Sequence, residues 1–175
     1  AHVLLEVSGL SAWRFLADAP LAAAALHHSW VWQFRRSFHA RLLAMLHIAF
    51  LWLGIGMTLY TVQSLVLLVT GTDYFGRLPL HALGIGFFTG MVVAMASRVT
   101  LGHFGRHLEA DDLTWRVLFG VNIAAVLRLT AEFAPGLLGA GLNALAAAVW
   151  LLSFLLWTWL YAPMYLRRRA DGKPG

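Results

Sequence analysis

Charged residues are rare along this chain, and the gaps between them have the length of membrane helices. Residues 42–72 form a run of 31 without Asp, Glu, Lys or Arg, residues 78–97 a run of 20, and residues 133–166 a run of 34. About 20 apolar residues in helical form cross the hydrocarbon core of a bilayer, so each run predicts a spanning helix. Residues 10–34 carry Arg14 and Asp18 near their start and then sixteen uncharged positions, which predicts another. Residues 114–133, interrupted by Arg128 and Glu132, predict a fifth. Turn signals separate the runs: Gly71-Thr72-Asp73, Gly76-Arg77-Leu78-Pro79, Gly102-His103-Phe104-Gly105 and Ala134-Pro135-Gly136, with Asp111 and Asp112 able to cap the fourth helix. The pattern predicts an all-α transmembrane bundle, a single domain over residues 1–175 with spans near 10–34, 42–70, 79–99, 114–133 and 137–165. The opening at Ala1, without Met or a basic leader, reads as a segment of a longer protein.

Composition agrees with a membrane setting. The chain is 60% hydrophobic and 12% charged with a mean hydropathy of +0.71, whereas soluble domains are about 25% charged and less than half apolar. In a bilayer the apolar residues can face the solvent, and only the backbone amides must be satisfied internally. The net charge of +5 does not point to nucleic acid, because the basic residues form no stripe, and their one dense cluster, Arg167 to Arg169, directly follows an apolar run.

The basic residues do fix an arrangement. If the spans alternate, Arg35, Arg36, Arg41, Arg98, Arg106, Arg116, Arg167, Arg168, Arg169 and Lys173 fall at one end of the bundle, and Arg14, Arg77 and Arg128 at the other. Lys and Arg are retained on the cytoplasmic side, which predicts a cytoplasmic C-terminus. Trp30, Trp32, Trp115, Trp157, Trp159, Tyr161 and Tyr165 gather near the basic end, as an interfacial aromatic belt would.

With no cysteine and eight histidines, metal chemistry in this chain would rest on imidazole. His47 lies about 9 Å along its helix from Arg41, on a face shared with Gly54, Thr58, Thr61 and Leu65. It is either a haem or copper ligand or a histidine bonded to a neighbouring helix. In the third helix Gly86, Gly90, Ala94 and Ser97 form a small-residue packing face, while His81, Ile85, Phe88, Val92 and Met95 project roughly opposite. His103 lies between glycines at a turn; His27 and His28 sit at nearly the depth of His47 but point about 100° apart. His39 and His107 read as surface residues. Arg128 and Glu132 are four apart and can pair; Arg128 either reaches the bundle surface or clamps an anion such as a haem propionate. No nucleophile–base pair, phosphate loop, HExxH or carboxylate cluster appears, so hydrolase, kinase and ATPase functions have no support.

Leu80-His81-Ala82-Leu83, Gly86, Met91, Ser97-Arg98-Val99-Thr100-Leu101-Gly102-His103 and Gly105-Arg106 resemble the C-terminal half of the NnrS family. Leu46-His47, Leu127-Arg128 and the ending Arg169-Ala170-Asp171-Gly172-Lys173-Pro174-Gly175 resemble it too, so the likeness covers most of residues 42–175. The resemblance implies a bacterial inner-membrane protein holding b-type haem and copper, acting on nitric oxide or a nitrosyl species in relief of nitrosative stress. It also implies an N-terminal half as partner. His47, His81 and His103 match the family pattern, with His27 as a further metal ligand and Arg128 beside a cofactor. The competing expectation is a transporter half or a structural membrane subunit whose histidines only hydrogen-bond. Because His47 and His81 lie toward opposite faces of a core about 30 Å thick, one iron cannot take both, and two separate centres follow if both bind metal.

Overall fold

A computed structural model describes residues 1–170 and residue 172, so Asp171 and the Lys173-Pro174-Gly175 ending lie outside the described residues. The described residues form seven helices and no strand: α1 His2–Val7, α2 Phe15–Val31, α3 Phe34–Ser37, α4 Arg41–Thr70, α5 Leu78–His103, α6 Asp112–Phe133 and α7 Gly136–Tyr165. A short 3-10 turn at Ser11–Trp13 precedes α2. The helices α4, α5, α6 and α7, of 30, 26, 22 and 30 residues, are each long and apolar enough to cross a membrane. With 17 residues, α2 stands at the lower edge of spanning length. It is shorter than the uncharged run suggests because Gln33 adopts a left-handed conformation, φ 57°, and turns the chain just past Trp32.

The chain runs up and down. Arg14 meets Gln63, Leu26 abuts Gly54 and Trp32 meets His47, so α2 lies antiparallel to α4. Antiparallel packing recurs between α4 and α5, where Gly90 lies against Ala49, Gly86 against Trp52 and Leu83 against Gly56. A Cβ at Gly90 would sit 3.1 Å from that of Ala49, and one at Gly86 would land on the indole of Trp52. Gly86, Gly90, Ala94 and Ser97 are all buried, whereas Phe88, Val92 and Met95 are exposed, as the small-residue face predicts. Over Ala82–Thr89 the helix widens into π-type turns that the residue pattern does not announce. The widening coincides with the two closest approaches to α4, at Leu83 and Gly86.

Helix ends follow local chemistry. Gly71 closes α4 at φ +69°, a conformation costly for any residue with a Cβ. Asp111 caps α6 by accepting from the Thr114 N–H at 2.7 Å. The aromatic belt holds for Trp30 and Trp159, both strongly exposed. Trp157, Tyr161 and Tyr165 bond their polar atoms to neighbouring helices, Tyr165 with its ring still exposed. Trp157 Nε1 donates to Ser97 Oγ at 2.9 Å, Tyr161 Oη lies 3.0 Å from Thr114 Oγ1, and Tyr165 Oη lies 2.7 Å from Thr100 Oγ1. Inside the bundle the Tyr161 hydroxyl and the Trp157 N–H need partners, and the neighbouring helices supply them.

Candidate functional site

His47 sits on the second turn of α4 with its ring fixed by its own helix. Its Nδ1 lies 2.9 Å from the Leu43 carbonyl, which can only accept, so Nδ1 carries the proton and Nε2 holds a free lone pair. That Nε2 is buried and has no hydrogen-bond partner. An orphaned acceptor of this kind costs about 1–3 kcal/mol. Trp32 and Phe34 pack around the ring with centroids 6.3 and 6.5 Å away. His47 lines a cavity of about 390 Å³ together with Trp32, Leu43, Leu46, Phe50 and Met91. The polar face expected along α4 does not reach this cavity. Gly54 is packed under Leu26, and Thr58 and Thr61 spend their hydroxyls on the Gly54 and Met57 carbonyls.

His81 lies at the other end of the bundle, one turn into α5. Its Nδ1 is 2.7 Å from the Arg77 carbonyl, the same device as at His47, again leaving Nε2 as the acceptor. It lines a second cavity of about 560 Å³ with Ile85, Arg128, Asn143, Trp150 and Leu151. Arg128 Nη1 donates to Glu132 Oε2 at 2.7 Å, and the other carboxylate oxygen accepts from the Arg77 N–H at 3.1 Å. The Arg128 charge is therefore already matched, and the pair ties α6 to the loop before α5. The two cavities share no lining residue. His81 and Met91 are ten residues apart on one helix, roughly 15 Å in rise, which keeps the cavities separate in depth.

The remaining candidates stand apart from His47. His103 is the last residue of α5, not part of a loop; it is exposed beside a shallower cavity formed with Leu46, Met95 and Arg98. Leu46 separates that cavity from the one at His47, lining both. His27 is exposed and touches His28, ring centroids 5.9 Å apart. His28 stacks on Trp32 at 5.2 Å and so reaches the His47 cavity only through that indole. His39 and His107 are exposed, as expected. Among the described residues no three His, Asp or Glu side chains gather closely enough to hold a metal ion.

The residue pattern does not reveal a polar cluster at the His81 end. Asp18 is fully buried, bonded through Oδ1 to His2 Nδ1 at 2.7 Å, with Oδ2 unpartnered. Arg14, buried, pairs with Glu6 at 2.7 Å and donates to Gln63 Oε1 at 3.2 Å. Gln63 Nε2 in turn donates to Asp73 and to the Gly76 carbonyl. Burial raises the Asp73 carboxyl, but hydrogen bonds from Gln63 and the Phe75 and Gly76 N–H groups, with Arg14 nearby, hold it below the ordinary carboxylate range. Ionisable residues spread along a sequence give no hint of such a cluster, because its members come from α1, α2, α4 and a loop.

These features define a class: a polytopic helical membrane protein with two separate histidine-lined cavities, one walled by apolar groups and one beside an ion pair. The chain belongs to the NnrS family, whose model, described as NnrS protein, matches residues 1–169. The match takes in α1, α2 and α3 as well as the residues on which the resemblance rests, and it stops before the Ala170–Gly175 ending. No curated protein and no solved structure matches the chain.

Proposed function

We propose that this protein binds haem and copper in the membrane and acts on nitric oxide or a nitrosyl species in nitric-oxide metabolism and relief of nitrosative stress. The observation that carries the reading is His47: an imidazole oriented by its own helix, with a buried and unpartnered Nε2 beside an apolar cavity. Metal-binding histidines are held in this way, the second nitrogen donating to a carbonyl that fixes tautomer and ring plane. His47 would hold one centre. His81 would hold the other, and Arg128 and Asn143 would line its pocket. With no cysteine to attach it, the haem would be non-covalent and b-type. Bound haem or copper would supply the metal chemistry toward nitric oxide. We assign the protein to the bacterial inner membrane with the basic end, and the C-terminus, cytoplasmic; reporter fusions at Gly175 and in the 72–79 loop test this, and a periplasmic signal from Gly175 would refute it.

A second reading, a transporter half or structural subunit, is favoured by the Arg128–Glu132 pair, which already matches the Arg128 charge. The visible absorption spectrum and the iron and copper content of the whole purified protein decide between them. Haem bands or bound copper that His47→Ala diminishes support the metal reading. A folded protein without either leaves the histidines as packing residues.

A further inference from the structure

The packing register brings a thioether to the level of His47. Gly90 lies against Ala49 and Gly86 against Trp52, so the next residue of α5 after Gly90 falls beside the turn of α4 that carries His47 and Phe50. That residue is Met91, and it lines the same cavity as His47. The rest of the wall is Trp32, Leu43, Leu46 and Phe50, with no carboxylate, Lys or Arg among the lining side chains.

From this we infer that His47 Nε2 and the Met91 sulfur together form the protein's ligand pair at this centre, and that the pair selects a soft metal of low charge. The inference rests on the metal reading above and adds its second ligand. Both donors are neutral: the imidazole keeps its Nδ1 proton on Leu43, and a thioether carries none. A dication such as zinc, magnesium or manganese would meet no compensating anion in this cavity, and an uncompensated charge away from water is strongly disfavoured. Copper(I) carries one charge and prefers sulfur and imidazole. Haem iron brings the two negative charges of the porphyrin ring with it, so the ferrous core is neutral and only the propionates, at the ring edge, carry charge. The shared chemistry is a neutral nitrogen–sulfur pair on a low-charge soft metal, and the measurement separates the two sources.

The test uses the whole protein, purified in detergent, as wild type and as Met91→Leu, Met91→His, His47→Ala and the exposed control Val92→Leu. Iron and copper content, optical spectra of both oxidation states, midpoint potential and thermal unfolding are read for each. If the metal is haem, Met91→Leu converts a six-coordinate low-spin spectrum to a five-coordinate high-spin one with the iron retained. Met91→His restores the low-spin form at a lower potential, because a thioether ligand raises it. If it is copper(I), Met91→Leu weakens binding at least about ten-fold, as even an outer-shell change can, and Met91→His recovers it. Should the leucine variant fail to fold, the histidine variant decides: a changed spectrum or potential supports the pair. Wild-type spectra, potential and metal affinity in the Met91 variants, with metal lost from His47→Ala, would remove Met91 and leave the His47 reading intact. Metal retained unchanged in His47→Ala would overturn both.

Discussion

The two ends of the bundle use the same histidine device in opposite surroundings. His47 and His81 each bond Nδ1 to the carbonyl four residues earlier, so each presents Nε2. Around His47 the walls are indole, phenyl and aliphatic groups with one thioether. Around His81 stand Arg128 and Asn143, with Glu132 behind them and the Arg14–Gln63–Asp73 cluster tying the same end of the bundle. What differs is the charge each place can hold. The first is walled without charge, whereas the second stands beside an Arg–Glu ion pair.

The largest expected effect comes from the seam on which both cavities depend. Gly90→Leu should drive α5 from α4, because the side chain would enter the space of Ala49, and Gly86→Leu should do the same against Trp52. Overpacking of this kind costs about 1–3 kcal/mol even where the core can shift, so the yield of folded protein should fall sharply. Ile85→Leu, on the cavity side, should cost under about 1.5 kcal/mol. Equal detergent stability of the glycine and isoleucine variants would break the two-face account.

Next in size is the separation of the two centres. His47→Ala should remove one metal population and leave that of His81, and His81→Ala should do the reverse, as followed by metal content and absorption. Loss of one and the same haem signal in both well-folded variants would mean that the cavities are not independent. In metal-free protein His47→Ala should change stability little, since relief of the unpartnered Nε2 offsets the loss of the Nδ1 bond and of the ring's packing.

At the other end Glu132→Ala removes the partner of Arg128 and the acceptor for the Arg77 N–H together, at an expected cost of about 1–3 kcal/mol in thermal unfolding. Glu132→Gln should cost less, since its amide oxygen can still accept from Arg77, while Arg128 gains an unmatched charge. If Arg128 serves an anionic ligand, that variant should bind anions more tightly than wild type. The smallest effect concerns Asp73. Its carboxyl is held below the ordinary range, so its contribution is present at neutral pH and is lost as pH falls through its folded value, below the usual 3.8. Asp73→Asn should therefore cost under about 1 kcal/mol at pH 7, given its exposure, and less at a pH below the carboxyl's folded value. An equal cost at both pH values would mean that the carboxylate charge is not what holds the loop.

Much of this architecture could be read from residue order, for reasons that differ from element to element. Long uncharged runs leave few options besides helices, because unpaired backbone amides are not tolerated in hydrocarbon. Nine of the ten basic residues assigned to one end lie at that end, and Lys173 falls outside the described residues. The small-residue face of α5, the Asp111 cap and the Arg128–Glu132 pair are local patterns of spacing three or four, and each appears as its spacing implies. The early end of α2 was hidden, since Gln33 is not a residue that announces a left-handed turn.

Residue order thus specified the helices, their alternation and which face of α5 packs, since these follow from hydropathy and short-range periodicity along a single helix. It also identified His47 and His81 as histidines placed within spans. That Met91 accompanies His47, that Arg128 and Asn143 accompany His81, and that His2 reaches Asp18 came from packing alone. Each of those pairings joins separate helices. Their register is set by how glycine and indole surfaces fit against one another, a property of two surfaces together that neither helix carries in its own periodicity.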